Sequence, residues 1–252
     1  MRAIELARLI ASSPRRSCRF VPCKSSSEHG PTKGTSMSDK LTKPRVLALW
    51  GKGGSGKTTS ALAIASLSAT AGNRTLIVDA DPQRSASEWH SVSENPAFAV
   101  HSTDVGQVAS LMERAKARYD VVIIDNPPAC YAGSAEIAKR ADLSLIVARP
   151  FRFDVTQAIE WVGRLQRVGT IPLVALTAAP PSRLNTEPPS VKAARARLKQ
   201  AGALLWQAQI THRLIHPELT QQGLAVASMA SSSLARLEYE ALWSALQRRP
   251  TR

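Results

Sequence analysis

Gly51-Lys52-Gly53-Gly54-Ser55-Gly56-Lys57-Thr58 fits the pattern G-x-x-x-x-G-K-[ST]. An apolar run of strand length precedes it at 46–50, and a segment with helical spacing follows from Lys57. A strand, a glycine-rich turn and a helix in that order make a phosphate-binding loop. The glycines let the backbone curl with its N–H groups inward, and the helix adds its positive N-terminal end. Lys57 neutralises the outer phosphates and Thr58 coordinates Mg²⁺ in such a loop, with Thr59 next in line beside the nucleotide.

Outward from the loop, apolar runs at 75–79, 121–124, 143–148, 173–177 and 204–210 alternate with helical-period segments at 57–71, 105–119, 155–168 and 191–201. Alternation of this kind predicts an α/β fold, a mostly parallel twisted sheet with helices on both faces. Gly72 and Gly169 are placed to stop two of the helices, and 180–189, with four prolines, reads as a loop. A last segment, 233–249, places Leu234, Leu237, Ala241, Leu242 and Ala245 on one stripe. Packing on the sheet is the preferred reading over a membrane-targeting tail, because Glu238 and Glu240 would face anionic lipid.

Composition sets the bounds. Hydrophobic residues at 44% and charged residues at 21% suit a globular chain, and no apolar run approaches the length that spans a bilayer. Three scattered cysteines, Cys18, Cys23 and Cys130, suit a reducing compartment, and His212 and His216 lack a third metal ligand nearby. The net charge of +14 favours polyanions or an anionic surface. Residues 1–44 read as a basic leader and 45–252 as one ATPase-sized domain. Residues 1–36 share the composition of organelle transit peptides; a leader upstream of a start at Met37, or a disordered basic tail, is the preferred reading.

Two acidic segments follow predicted strands: Asp79-Ala80-Asp81-Pro82-Gln83 and Asp125-Asn126-Pro127-Pro128. Carboxylates at the C-terminal ends of parallel strands lie on the ligand side of such a sheet. Lys52, five positions before Lys57, gives Lys-Gly-Gly-x-Gly-Lys-Thr, which resembles the deviant Walker A motif of the ParA, MinD and nitrogenase-iron-protein relatives. The D-x-D-P-Q segment resembles that of ParA proteins, and the strand ending in Asp125 resembles Walker B. The resemblance covers nearly the whole body. Trp89 soon after the D-x-D-P-Q segment, the compact length, and the segments 180–184 and 210–213 look like small plasmid-partition ParA proteins.

That resemblance implies a slow Mg²⁺-dependent ATP hydrolase that forms a homodimer on ATP. It implies that Lys52 reaches the partner's ATP, that Asp81 organises the attacking water or the Mg²⁺ shell, with Asp79 a weaker candidate, and that Asp125 holds Mg²⁺. It also implies non-specific DNA binding, a ParB-like partner that stimulates hydrolysis, and a cytoplasmic, nucleoid-associated location without membrane contact. Residues 183–252 carry ten basic and four acidic side chains, and Lys192, Arg195, Arg197, Lys199 and Arg213 are the candidate DNA contacts. A MinD-like or conjugation-associated positioning ATPase, acting on a membrane or protein complex, is the alternative. Trp50 and Thr177 depart from the family pattern, where a small or amide residue and an adenine-contacting Asn are common.

Overall fold

Seven parallel strands form one sheet in the order β3-β2-β4-β1-β5-β6-β7. They are β1 Arg45–Trp50, β2 Thr75–Asp79, β3 Ala99–Ser102, β4 Val121–Asp125, β5 Leu143–Ala148, β6 Leu173–Ala179 and β7 Leu204–Thr211. The helices are α1 Lys57–Thr70, α2 Ser85–Val92, α3 Val108–Lys116, α4 Ser134–Arg140, α5 Arg152–Arg167, α6 Pro189–Gln200, α7 Ile215–Gln221 and α8 Leu234–Gln247. The computed structural model describes residues 41, 43–94, 96–182, 184 and 186–250, all in the unit Met37–Arg252. Nearly all of the expected leader, 1–44, lies outside the described residues.

Strand residues alternate between two cores. Val46, Ala48, Val122, Ile124 and Ile146 pack under α3, α4, α5 and α6, while Leu47, Leu49, Ile123, Leu145 and Val147 pack under α1, α2 and α8. With β1, β2, β4 and β5 buried on nearly all of their length, each of these strands reads as a largely apolar run, as parallel sheets require. Apolar burial at roughly 25 cal/mol per Å² makes these two layers the main source of stability.

The described elements correct three expectations. Strand β3 and helices α2, α4 and α7 had not been expected; all are short, and α2 buries only Ala86 and Trp89. Helix α6 begins at Pro189, inside the segment read as loop, because proline fits the first helical turn where no N–H bond is needed. Helix α8 does pack on the sheet, yet its buried side is Ala235, Tyr239, Leu242, Trp243 and Leu246. Leu234 and Leu237 are exposed, and Glu238 accepts hydrogen bonds from Thr211 N and Thr211 Oγ1, both at 2.8 Å, so it clamps the end of β7.

The site's place follows from the strand order. From β1 the chain first builds β2, β3 and β4 on one side, then crosses to β5 on the other. Loops after β1 and β4 therefore meet at the switch point, where the C-terminal ends of parallel strands leave a crevice.

Candidate functional site

Gly51, at φ +144°, opens the loop directly after β1. A Cβ there would lie 2.3 Å from Val147 O and 2.8 Å from Ser55 Oγ, so only glycine lets the loop turn beside β5. Gly54 and Gly56, at φ +74° and +89°, continue the curl, and Gly56 stands immediately before α1. Thr177 Oγ1, from β6, donates to Ser55 O at 2.6 Å and braces the loop from behind. The position that departs from the family pattern thus supports the loop's backbone. Trp50 is buried against Trp161, 4.9 Å between ring centroids, with Nε1 donating to Ser144 Oγ.

Lys57 is buried, and its ammonium donates to Gly51 O at 3.2 Å and Lys52 O at 3.4 Å, on the inside of the loop. Burial pulls its pKa below the usual lysine range, while the charges of Asp125 and Asp81 oppose that shift. One residue on, Thr58 Oγ1 donates to Asp125 Oδ2 at 2.7 Å. Thr59 is half-buried and lines a cleft of about 510 Å³ that α1 shares with α2 and α7.

Asp125 is fully buried, and Asp79 pairs with it in register across β2 and β4. Burial, chiefly, pushes the Asp125 carboxyl up to about 7; Thr58 and Lys57 oppose the shift, and Asp79 and Asp81 add to it. Its Oδ1 is buried without a hydrogen-bond partner among the described residues. An orphan carboxylate oxygen beside a threonine hydroxyl and a glycine-lined cradle fits a magnesium ion with its nucleotide: a cation shell supplies what Oδ1 lacks. Asp79 Oδ1 is likewise buried without a partner among the described residues, but its other oxygen is taken up by α2. Its Oδ2 accepts from Ser87 N and Ser87 Oγ at 2.8 and 2.7 Å, which ties down the first turn of α2. Asp81 is nearly buried, and its Oδ1 accepts from Gln83 N in a tight turn. Arg84, left-handed at φ +54°, holds that turn by donating to Asp79 O at 2.8 Å and Thr103 O at 2.7 Å.

Lys52 points elsewhere. Its ammonium lies 3.6 Å from Asp154 Oδ2, on α5, and 5.9 Å from the centre of the exposed Phe153 ring. Asp154 is buried and also accepts from Arg149, Nε to Oδ1 at 2.8 Å and Nη2 to Oδ2 at 3.4 Å. Sequence reasoning had not singled out either Arg149 or Asp154.

Residues 46–216 match the model of the CobQ/CobB/MinD/ParA nucleotide-binding domain. The chain belongs to this family. It is therefore a P-loop ATPase of the ParA/MinD type, with the fold that its sequence pattern predicts. It is 36% identical over 197 residues to maintenance of carboxysome distribution protein A of Gloeobacter kilaueensis, covering 75% of this chain and 87% of that protein. It is 32% identical over 117 residues to protein ParA of Rhizobium radiobacter, covering 45% of this chain and 52% of that one. The fold is similar to that of the Cyanothece McdA ATP complex, with a TM-score of 0.69 and 16% identity over 83% of this chain and 99% of that one.

On this ParA/MinD scaffold the five candidate DNA contacts separate into two groups. Arg195 is mostly buried, with Nε on Glu187 Oε1 at 2.6 Å and its other nitrogens on Trp206 O and Ala208 O at 2.9 Å. Arg213 is held by Glu238 at 2.8 Å. Both guanidinium groups have structural work. Lys192, Arg197 and Lys199 are exposed on α6, and Arg152, Arg164 and Arg167 are exposed on neighbouring α5. Helices α3 to α6 carry eleven basic and four acidic side chains, against two and four on α1, α2, α7 and α8. Positive charge is thus gathered on one side of the sheet. Among the described residues no helix is long and apolar enough to cross a membrane.

Proposed function

We propose that this chain is an ATP-switched positioning ATPase, which closes into a homodimer around two Mg²⁺-ATP molecules and reaches the partner's phosphates with Lys52. The observation that carries this reading is the separation of the two lysines. Lys57 lies inside the loop, on Gly51 O and Lys52 O, whereas Lys52 is held outside it on Asp154, with its side chain 38% exposed. A cation on a tight loop cannot easily turn back on the same loop's phosphates, but it can stabilise charge that develops in a facing copy.

Within each site Gly51 to Thr59 cradle the triphosphate, and Thr58 and Asp125 hold Mg²⁺ with Asp81 beside them. Held there, the ion would supply positive charge to the phosphates. Asp81 positions the water that attacks in line, and no strong base stands beside it among the described residues, so turnover is slow without a stimulating partner.

The ATP-bound dimer binds DNA without sequence preference, through the basic side formed by α5 and α6. The charge asymmetry between the two sides of the sheet supports this, because phosphate contacts need clustered cations and no base readout. A partner on the cargo triggers hydrolysis and release. The longer similarity to a carboxysome distribution protein favours a protein assembly as cargo. The shorter similarity to a ParA favours a second reading, a replicon bound by a ParB-like protein.

DNA retention with ATP, ADP and no nucleotide, across a salt series, tests the switch. Retention confined to ATP is expected, and equal retention in all three states counts against it. Pull-down with the product of the neighbouring gene separates the two cargoes, and liposome sedimentation tests the membrane alternative.

A further inference from the structure

Asp154 is shared by two cations, and they are not equivalent. Arg149 meets it as a fork, Nε to Oδ1 at 2.8 Å and Nη2 to Oδ2 at 3.4 Å, whereas Lys52 stands 3.6 Å from Oδ2, beyond hydrogen-bond length. The carboxylate is 3% exposed. A carboxylate so buried is costly to leave unpaired, and the loss falls on whichever residue removes its last partner.

From this geometry we infer that Arg149 is a positioning residue that frees Lys52, by keeping Asp154 paired when Lys52 leaves. With Arg149 in place, departure of Lys52 breaks one long, half-solvated contact and strands no charge. Without Arg149, Lys52 is the one cation left on Asp154 among the described residues and is held there. The arrangement is fixed by the fold. Arg149 follows β5 directly, its Nη1 is 3.9 Å from where a Cβ on Gly54 would stand, and its guanidinium lies 5.8 Å from the centre of the Phe151 ring. Asp154 sits in the first turn of α5, where a carboxylate is favoured, so the acceptor cannot easily follow a departing lysine.

The inference rests on the proposed trans role of Lys52, and the test separates the two. Arg149→Gln, Arg149→Lys, the double variant Arg149→Gln with Asp154→Asn, and Lys52→Ala are compared for ATP-dependent dimer formation, turnover and melting temperature. Arg149→Gln is expected to bind labelled ATP yet lose about tenfold or more in dimer formation and turnover. Removing the carboxylate as well releases Lys52, so the double variant recovers most of the loss, and Arg149→Lys keeps most of the activity. A purely structural role predicts the reverse for the double variant, which then melts lower and turns over no faster. Wild-type behaviour of Arg149→Gln, with Lys52→Ala inactive, overturns this inference alone. Wild-type behaviour of Lys52→Ala overturns the trans role, and the inference with it.

Discussion

Thr58 Oγ1 donates to Asp125 Oδ2 at 2.7 Å, which joins the start of α1 to the end of β4 and leaves Asp125 Oδ1 buried and unsatisfied. This linkage has a pH signature. Burial raises the Asp125 carboxyl to about 7 in the fold, above its unfolded value of roughly 3.9. A raised carboxyl contributes stability below its unfolded pKa and loses it as pH rises through the folded one. Metal-free protein is therefore expected to lose stability between about pH 4 and 7 from this group. Magnesium needs the carboxylate, so the gain in melting temperature on adding Mg²⁺-ATP should be larger at pH 8 than at pH 6. Asp125→Asn should remove that pH dependence; melting curves with and without Mg²⁺ across the range measure both effects.

The two lysines are expected to fail differently. Lys57→Ala removes a buried cation from the phosphate cradle and should weaken ATP binding by about a hundredfold or more, from charge-assisted bonds of roughly 1.5–3 kcal/mol each. Lys52→Ala should leave binding of labelled ATP near normal and abolish ATP-dependent dimerisation and hydrolysis. Equilibrium binding beside sedimentation velocity distinguishes them, and weakened binding in both variants would contradict the division of roles.

Glycines of the loop should differ just as sharply. Gly51→Ala drives a Cβ to 2.3 Å from Val147 O at a φ of +144°, so a destabilisation of about 2–4 kcal/mol is expected. Gly53 meets only Pro128 Cβ, at an ordinary 3.8 Å, and Gly53→Ala should fold with nearly unchanged stability. Urea unfolding of the two variants makes the comparison.

Most of this architecture was legible in advance, for a physical reason. The loop follows one strand buried on both faces, and Asp79 and Asp125 end two others, with Asp81 two residues past Asp79, so a continuous apolar run stops at a polar segment each time. Strand β3 escaped notice because it is a four-residue edge whose His101 and Ser102 face solvent. Helix α8 was found, but its side was misread: leucines at several spacings fit more than one stripe, and Tyr239 and Trp243 decide which is buried. The Arg149–Asp154–Lys52 group was invisible because it depends on register, with β5 set beside β1 so that Trp50 pairs with Ile146. No local pattern carries that information.

For DNA binding, Lys192, Arg197 and Lys199 should act through charge, whereas Arg195 should act through the fold. Replacing the first three with alanine should weaken retention and lower the salt dependence by about 0.9 for each side chain that faces a phosphate. Arg195→Ala loses Glu187 and two β7 carbonyl contacts, and should cost about 2 kcal/mol of stability. Salt-series filter binding and thermal melts check the contrast.

Everything proposed for the site depends on one copy's Lys52 completing the other copy's phosphate cradle. Mixing Asp81→Ala with Lys52→Ala tests this directly, because both variants keep the loop that takes up ATP. If Lys52 acts across the dimer, a mixed pair contains one complete site, with Asp81 from one copy and Lys52 from the other. Each variant alone should then be nearly inactive, while the equal mixture regains hydrolysis, at most about a quarter of the wild-type rate, because a mixed pair keeps one of its two Lys52 contacts and no more than about half of the pairs are mixed. A mixture as inactive as its components would contradict the account.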